Sequence, residues 1–125
     1  SDGDLRIQFF RGGELVSTDQ MLDAVKSGTL DLVQGTGGYW SGQVDIGNID
    51  IGLPGSWTSL EEAKALFESE EVVQILNEAY DEAGVHFLQK GYGHDYDLLT
   101  KEPVTSLEDL KSRKIRATSA VAKVL

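Results

Sequence analysis

The feature that most constrains the fold is a strand, helix and strand in quick succession near the start of the chain. Leu5 to Phe10 (LRIQFF) alternates and then turns aromatic, which is typical of a strand. In "STDQMLDAVKSG", Ser17 and Gln20 have capping-box spacing, the apolar residues share one helical face, and Gly28 suits the C-terminal cap. "LDLVQ" indicates a short buried strand. Connections this short predict a βαβ unit and a parallel sheet.

The later part of the chain continues the alternation of helices and strands. Ser59 and Glu62 repeat the capping-box spacing before an amphipathic helix, and "EEVVQILNEAYDEAG" predicts a longer helix that ends at Gly84. "VHFLQ", "YDLLT" and "KIRAT" are typical of strands, a short helix opens at Ser106, and a last helix begins near Ser119. The order predicts one α/β domain over residues 1–125, with an open, mostly parallel sheet flanked by helices.

Composition excludes several classes of function. A net charge of −10 argues against nucleic-acid binding, which needs a basic face. The chain has no Cys, which excludes disulfides and thiolate metal sites, and no apolar run approaches the ~20 residues of a membrane span. None of the familiar nucleophile or zinc motifs is present, although a Ser, His and Asp triad assembled in space stays open.

Arg116 is the strongest candidate for ligand binding. It lies near the carboxyl end of the predicted "KIRAT" strand, just before a helix that begins around Ser119, and ligands of open α/β sheets bind at that end of the strands. A guanidinium beside a helix N-terminus suits a carboxylate. The alternative is a surface Arg on an edge strand. Four other cations of the last fifteen residues are interpreted as a solvated rim: Lys111, Arg113, Lys114 and Lys123.

Two further segments carry candidate contacts. "GTGGYW" lacks the Lys and Ser/Thr of a P-loop, so Tyr39 and Trp40 are interpreted either as an aromatic wall beside a small organic ligand or as packing over the sheet edge. "GYGHDYD" combines His94, Asp95 and Asp97 with Tyr92 and Tyr96. Three adjacent polar residues without a distant partner favour a polar loop over a metal site.

Three runs carry a resemblance to a known family: "GGELVSTDQMLDAVKSGTLDLVQGTGGYWSG", "IDIGLPGSWTSLEEAKALF" and "KEPVTSLEDLKSRKIRATS". Together they resemble the extracytoplasmic solute receptors of TRAP (tripartite ATP-independent periplasmic) transporters, the DctP family. The similarity extends from about Asp4 to Leu125. The last run is the most specific, because a strand ending in Pro, a Ser-Leu-Glu-Asp-Leu-Lys helix and Lys-Ile-Arg form the family's signature neighbourhood.

The resemblance implies a periplasmic-binding-protein-like receptor of two α/β lobes. Such a receptor is not an enzyme; it captures a small organic acid in its cleft and delivers it to the permease subunits of a TRAP transporter. The family's carboxylate-pairing Arg falls on Arg116, and His94 or Tyr96 would supply a second polar contact. Sialic-acid-binding members carry a second Arg in the segment matching His94 to Tyr96. The run Gly91 to Thr100 has no Arg or Lys, which favours small mono- or dicarboxylates, including keto and hydroxy acids.

The resemblance also implies a location and a state. The receptor is periplasmic and needs no cofactor, although some relatives bind their acid with a metal ion, which leaves Asp95 open as a ligand. Family members are about twice this length or more, so the chain corresponds to most of lobe one with the second lobe absent. We therefore expect it to self-associate and to bind small acids weakly or not at all. Two alternatives remain open: a small α/β enzyme such as a hydrolase, and a ligand-sensing regulatory domain.

Overall fold

A computed structural model describes residues 3–50, 52–53, 55–92, 97, 99–111, 113–117 and 119–122. The regular structure of these residues is helical, with α-helices interspersed with short 3-10 helices. Over the same ranges, no helix is both long and apolar enough to cross a membrane. The α-helices are α1 (Met21–Lys26), α2 (Leu60–Phe67), α3 (Glu70–Glu82) and α4 (Ser119–Ala122), and the 3-10 helices are Thr18–Gln20, Gly37–Tyr39, Asp45–Asn48 and Leu107–Leu110.

The helix boundaries follow the capping signals in the sequence. The Glu62 amide donates to Ser59 Oγ at 3.2 Å, and Glu62 Oε2 accepts from the Thr58 amide at 2.7 Å. These bonds satisfy amides that α2 leaves unpaired at its first turn. At the other end of the pair, Gly84 follows α3 with a φ of +82°, a conformation that favours glycine. The predicted limits of α2 and α3 are confirmed.

The described residues of the segments predicted as strands are not helical, and they have no ladder partner among the described residues. Ile7 and Phe9 are 79 % and 80 % exposed, so the apolar side of the first predicted strand faces solvent. A strand becomes stable only when a neighbour pairs with its backbone amides and carbonyls. The open α/β sheet therefore stays a prediction.

The core lies between α1, the glycine-rich segment and the two consecutive helices α2 and α3. The face that the sequence predicts for α3 is the one that packs: Leu76 is buried, with Val72 and Ala79 partly buried beside it. Burying a large apolar side chain stabilises by roughly 1.5–3 kcal/mol. The buried residues of the cluster are Leu22, Trp40, Val44, Phe67, Leu76 and Tyr80.

Two glycines allow the backbone to fold tightly between the helices. A Cβ atom added at Gly37 would lie 2.3 Å from Asp50 Oδ2, and one added at Gly47 would lie 2.5 Å from the Gly37 carbonyl oxygen. Both distances are far below van der Waals contact. The glycine density of this segment is therefore a packing requirement, and it brings the two 3-10 helices Gly37–Tyr39 and Asp45–Asn48 together.

We expect the protein to self-associate, because large apolar side chains of the first segment stand in water and pair with other chains readily. Size-exclusion chromatography with light scattering should show species above the monomer mass that increase with concentration. The double variant Ile7→Ser, Phe9→Ser should reduce them, while Leu60→Ser, an exposed residue at the start of α2, is the control. A monomer at every concentration, with a cooperative thermal transition, would contradict this expectation.

Candidate functional site

Arg116 lines an open groove between two segments of the last third of the chain. The groove has a volume of about 440 Å³, and the described residues that form its walls are Asp97, Leu99, Thr100, Lys101, Leu110, Arg113, Lys114, Ile115 and Arg116. Four of the lining side chains are cations, Lys101, Arg113, Lys114 and Arg116, and one is the carboxylate of Asp97. Of the four cations that sequence reasoning assigned to a solvated rim, Arg113 and Lys114 therefore share a concave surface with Arg116, Lys111 does not line it, and Lys123 lies outside the described residues.

Three of these cations are available to a ligand. Arg113 is engaged, because its Nε donates to the Asp109 carbonyl oxygen at 2.6 Å. Lys101, Lys114 and Arg116 make no ion pair or hydrogen bond with any residue in the described ranges. Unpaired positive charge along a concave wall raises the local concentration of anions.

A capping box positions the Arg116 side of the groove. Asp109 Oδ2 accepts from the amides of Thr105 and Ser106 at 2.9 and 3.0 Å and from Thr105 Oγ1 at 3.0 Å. The amide of Thr105 is the main cause that lowers the pKa of Asp109. These bonds fix the turn Leu107–Leu110, and the Arg113 bond to Asp109 then fixes the chain that leads to Arg116. The capping signal at Ser106 is confirmed.

Tyr39 and Trp40 do not line this groove, and they differ from each other in exposure. Tyr39 is 52 % exposed, whereas Trp40 is only 6 % exposed. Trp40 does not present an open aromatic face, because its indole packs within the core cluster and its Nε1 donates to the buried Tyr80 hydroxyl. The two rings meet edge to face with centroids 6.2 Å apart. Trp40 thus supports Tyr39, and Tyr39 presents the open aromatic surface.

A buried hydrogen-bond chain starts at Trp40, and sequence reasoning missed it. Trp40 Nε1 donates to Tyr80 Oη at 3.1 Å, and Tyr80 Oη donates to Asp50 Oδ2 at 2.5 Å. Lys90 Nζ donates to the main-chain carbonyl of Asp50 and lies 4.5 Å from the centre of the Phe67 ring. The signal in the sequence was a single acid between isoleucines in "NIDIG".

Burial dominates the electrostatics of this chain of groups. It raises the pKa of Asp50, against the opposing effects of the Tyr80 hydroxyl, the Lys90 charge and the Gly37 amide. Burial also raises the pKa of Tyr80 and lowers that of Lys90. Asp50 Oδ1 is buried without a hydrogen-bond partner of good geometry among the described residues. Asp50 therefore depends on Tyr80 for its one short hydrogen bond.

The other predicted contacts, His94 and Tyr96, lie outside the described residues, as does Asp95. Within the ranges that are described, no group of three or more His, Cys, Asp or Glu side chains is arranged to hold a metal ion. The proposed roles of Arg116, Tyr39, Trp40, His94 and Tyr96 stay predictions.

Comparison with known proteins defines the class. Residues 1–124 match the family DctP, described as bacterial extracellular solute-binding protein, family 7. The chain therefore belongs to the DctP family, a family of extracellular solute-binding proteins. This confirms the resemblance inferred from the three sequence runs. It also confirms an extracytoplasmic location and a class of proteins that are not enzymes.

A curated relative is the ectoine-binding periplasmic protein TeaA of Halomonas elongata. It is 25 % identical over 116 residues, which cover 92 % of this chain and 34 % of the relative. The chain therefore spans about a third of the length of this relative. The comparison with solved structures finds no match.

The Tyr80 hydroxyl should be a major stabilising group. Tyr80→Phe leaves Asp50 Oδ2 and Trp40 Nε1 buried without their partner, so we expect a loss of about 1–3 kcal/mol in the free energy of unfolding. Tyr92→Phe is the matched control, since the Tyr92 hydroxyl donates to the exposed Glu68 at 3.2 Å, and it should change stability by less than about 0.5 kcal/mol. Equal losses in urea denaturation would contradict the assignment.

The pH dependence of the free energy of unfolding should reveal the raised pKa of the buried Asp50. Because its folded pKa lies above the ordinary 3.8, the folded state binds the proton more tightly than the unfolded state. The stability that comes from protonated Asp50 is fully present below pH 3.8, and it is lost as the pH rises through the folded pKa. Relative to Asp50→Asn, the wild type should lose stability as pH rises from 3.8 and then level off.

Urea denaturation at pH values on both sides of 3.8 measures this difference. Asp45→Asn, on the neighbouring 3-10 helix, is the control for removing one negative charge. If the stability of the wild type relative to Asp50→Asn rises with pH, or stays constant, burial does not dominate the pKa of Asp50.

Proposed function

We propose that this protein captures a small organic acid outside the cytoplasm for TRAP-type secondary transport, and that Arg116 clamps the carboxylate. The observation that carries the proposal is the groove of about 440 Å³ in which Arg116, Lys101 and Lys114 have no ion-pair partner among the described residues. In a chain of net charge −10, unpaired cations gathered on one concave surface favour an anionic ligand. Membership of a solute-binding family supports the same function.

The relative TeaA is named as an ectoine-binding periplasmic protein, which supports the capture of a small ligand. A guanidinium pairs with a carboxylate through two parallel hydrogen bonds, which a compact ammonium cannot reproduce. Among the available cations, Arg116 is therefore the proposed clamp, with Lys101 and Lys114 supplying attraction at longer range.

The remaining parts of the proposal concern the surroundings of the ligand. Tyr39 lies outside the groove lining, and its exposed ring, with Trp40 packed against it, is the proposed aromatic wall of the loaded state; His94 or Tyr96 supplies a second polar contact. The binding cleft belongs to an open α/β sheet of a first lobe, and the loaded protein delivers its acid to the permease subunits of a TRAP transporter. The site uses no catalytic residue and no cofactor.

Arg116→Lys in the full-length protein tests the clamp. We expect carboxylate affinity to fall by about tenfold or more, because a point charge replaces the planar fork. Isothermal titration calorimetry with a panel that includes succinate and 4-methylpentanoate measures the change. Arg6→Lys, an exposed residue outside the groove, is the matched control and should leave affinity unchanged. Equal affinity of Arg116→Lys and wild type would show that Arg116 is not the clamp.

A further inference from the structure

The groove that contains Arg116 also contains a carboxylate, Asp97, that has no ion-pair partner among the described residues. Asp97 lines the same cavity as Arg116 and Lys114, yet no ion pair joins Asp97 to a cation in the ranges that the structure describes. Asp97 is exposed, and it makes no hydrogen bond with any described residue. Charges of both signs therefore line one groove without forming an ion pair among the described residues.

A carboxylate at this place has a consequence for selectivity. A plain acid held by Arg116 adds a second negative charge to a groove that Asp97 also lines, and like charges repel. An ionised carboxylate is also a hydrogen-bond acceptor only, so it requires a donor. A ligand that carries a hydroxyl or an ammonium group beside its carboxylate relieves both problems, since the donor pairs with Asp97 while the carboxylate pairs with Arg116.

We propose that Asp97 is a specificity-determining residue and that the site prefers acids bearing a hydrogen-bond donor next to the carboxylate, that is, hydroxy acids and amino acids. This inference rests on the proposed function, because it assumes that Arg116 holds the ligand carboxylate. It narrows the ligand class, since keto acids and unsubstituted acids lack the donor. The ammonium form gains more than the hydroxyl form, because its bond to Asp97 joins two opposite charges.

The lining of the groove guides the choice of probes. Leu99, Leu110 and Ile115 add apolar surface to the cationic walls, so both a branched apolar acid and a dicarboxylate suit the cavity. We use two sets of three acids. Within each set the acids have nearly equal size and differ only in the substituent on the carbon beside a carboxylate. The first is succinate, malate and aspartate; the second is 4-methylpentanoate, 2-hydroxy-4-methylpentanoate and leucine.

Calorimetry of the full-length protein with both sets is the test. In the set that binds, the hydroxy and amino acids should bind about tenfold or more tightly than the plain acid. Asp97→Ala should bring the three affinities to within about twofold of one another. Asp97→Asn keeps an acceptor oxygen but no charge, so the amino acid should lose its advantage while the hydroxy acid keeps part of its own.

Glu102→Gln is the matched control, because it removes one negative charge from an exposed position in the same stretch of chain, outside the groove lining. It should leave the preference unchanged. A uniform loss across all acids in Asp97→Ala would indicate a structural role and would overturn the inference, as would a wild type that binds the plain acid as tightly as the others. If no member of either set binds the wild type, the proposed function itself fails, and the inference fails with it.

Discussion

The described part of this protein is organised around one buried carboxylate. Asp50 is surrounded by the core, and its Oδ2 receives a 2.5 Å hydrogen bond from Tyr80, which in turn accepts from Trp40. A buried charge without such a partner is costly, so the glycine-rich segment and α3 are held in one arrangement. Lys90 joins the same centre through the Asp50 carbonyl. The exposed Tyr39 ring then takes its position from the buried Trp40 beside it.

Local signals were enough to predict the helices. The Ser59 cap and the glycine after α3 act within a few residues of their own position, and the apolar spacing of α3 identifies the face that packs. Such reasoning could not predict the buried network, because Tyr80 follows Asp50 by 30 positions and Trp40 by 40 positions along the chain. Strand pairing is also a long-range property. The predicted sheet accordingly rests on pattern and on family membership.

The candidate site also combines a residue that local sequence predicts with residues that only long-range contacts bring together. Arg116 was predicted from its place before a helix and from the family motif, and both are properties of a short segment. The place of Lys101 and Asp97 beside Arg116 was not predicted, because only the folded chain brings together the two segments whose described residues line the groove. That approach turns a basic stretch of sequence into a concave surface with one acid in it. An acidic protein can in this way attract an anion at one place without a basic surface overall.

The central claim is that Arg116 itself holds the ligand carboxylate. Nuclear magnetic resonance of the arginine Nε–Hε groups tests this directly, with the Arg116 signal assigned from its absence in Arg116→Lys. Titration of the full-length protein with an acid that binds should shift the Arg116 signal in a saturable way, and the shifted proton should exchange more slowly with water because it enters a hydrogen bond. The Arg6 signal should stay in place. Saturable binding of the acid with an unmoved Arg116 signal would contradict the account.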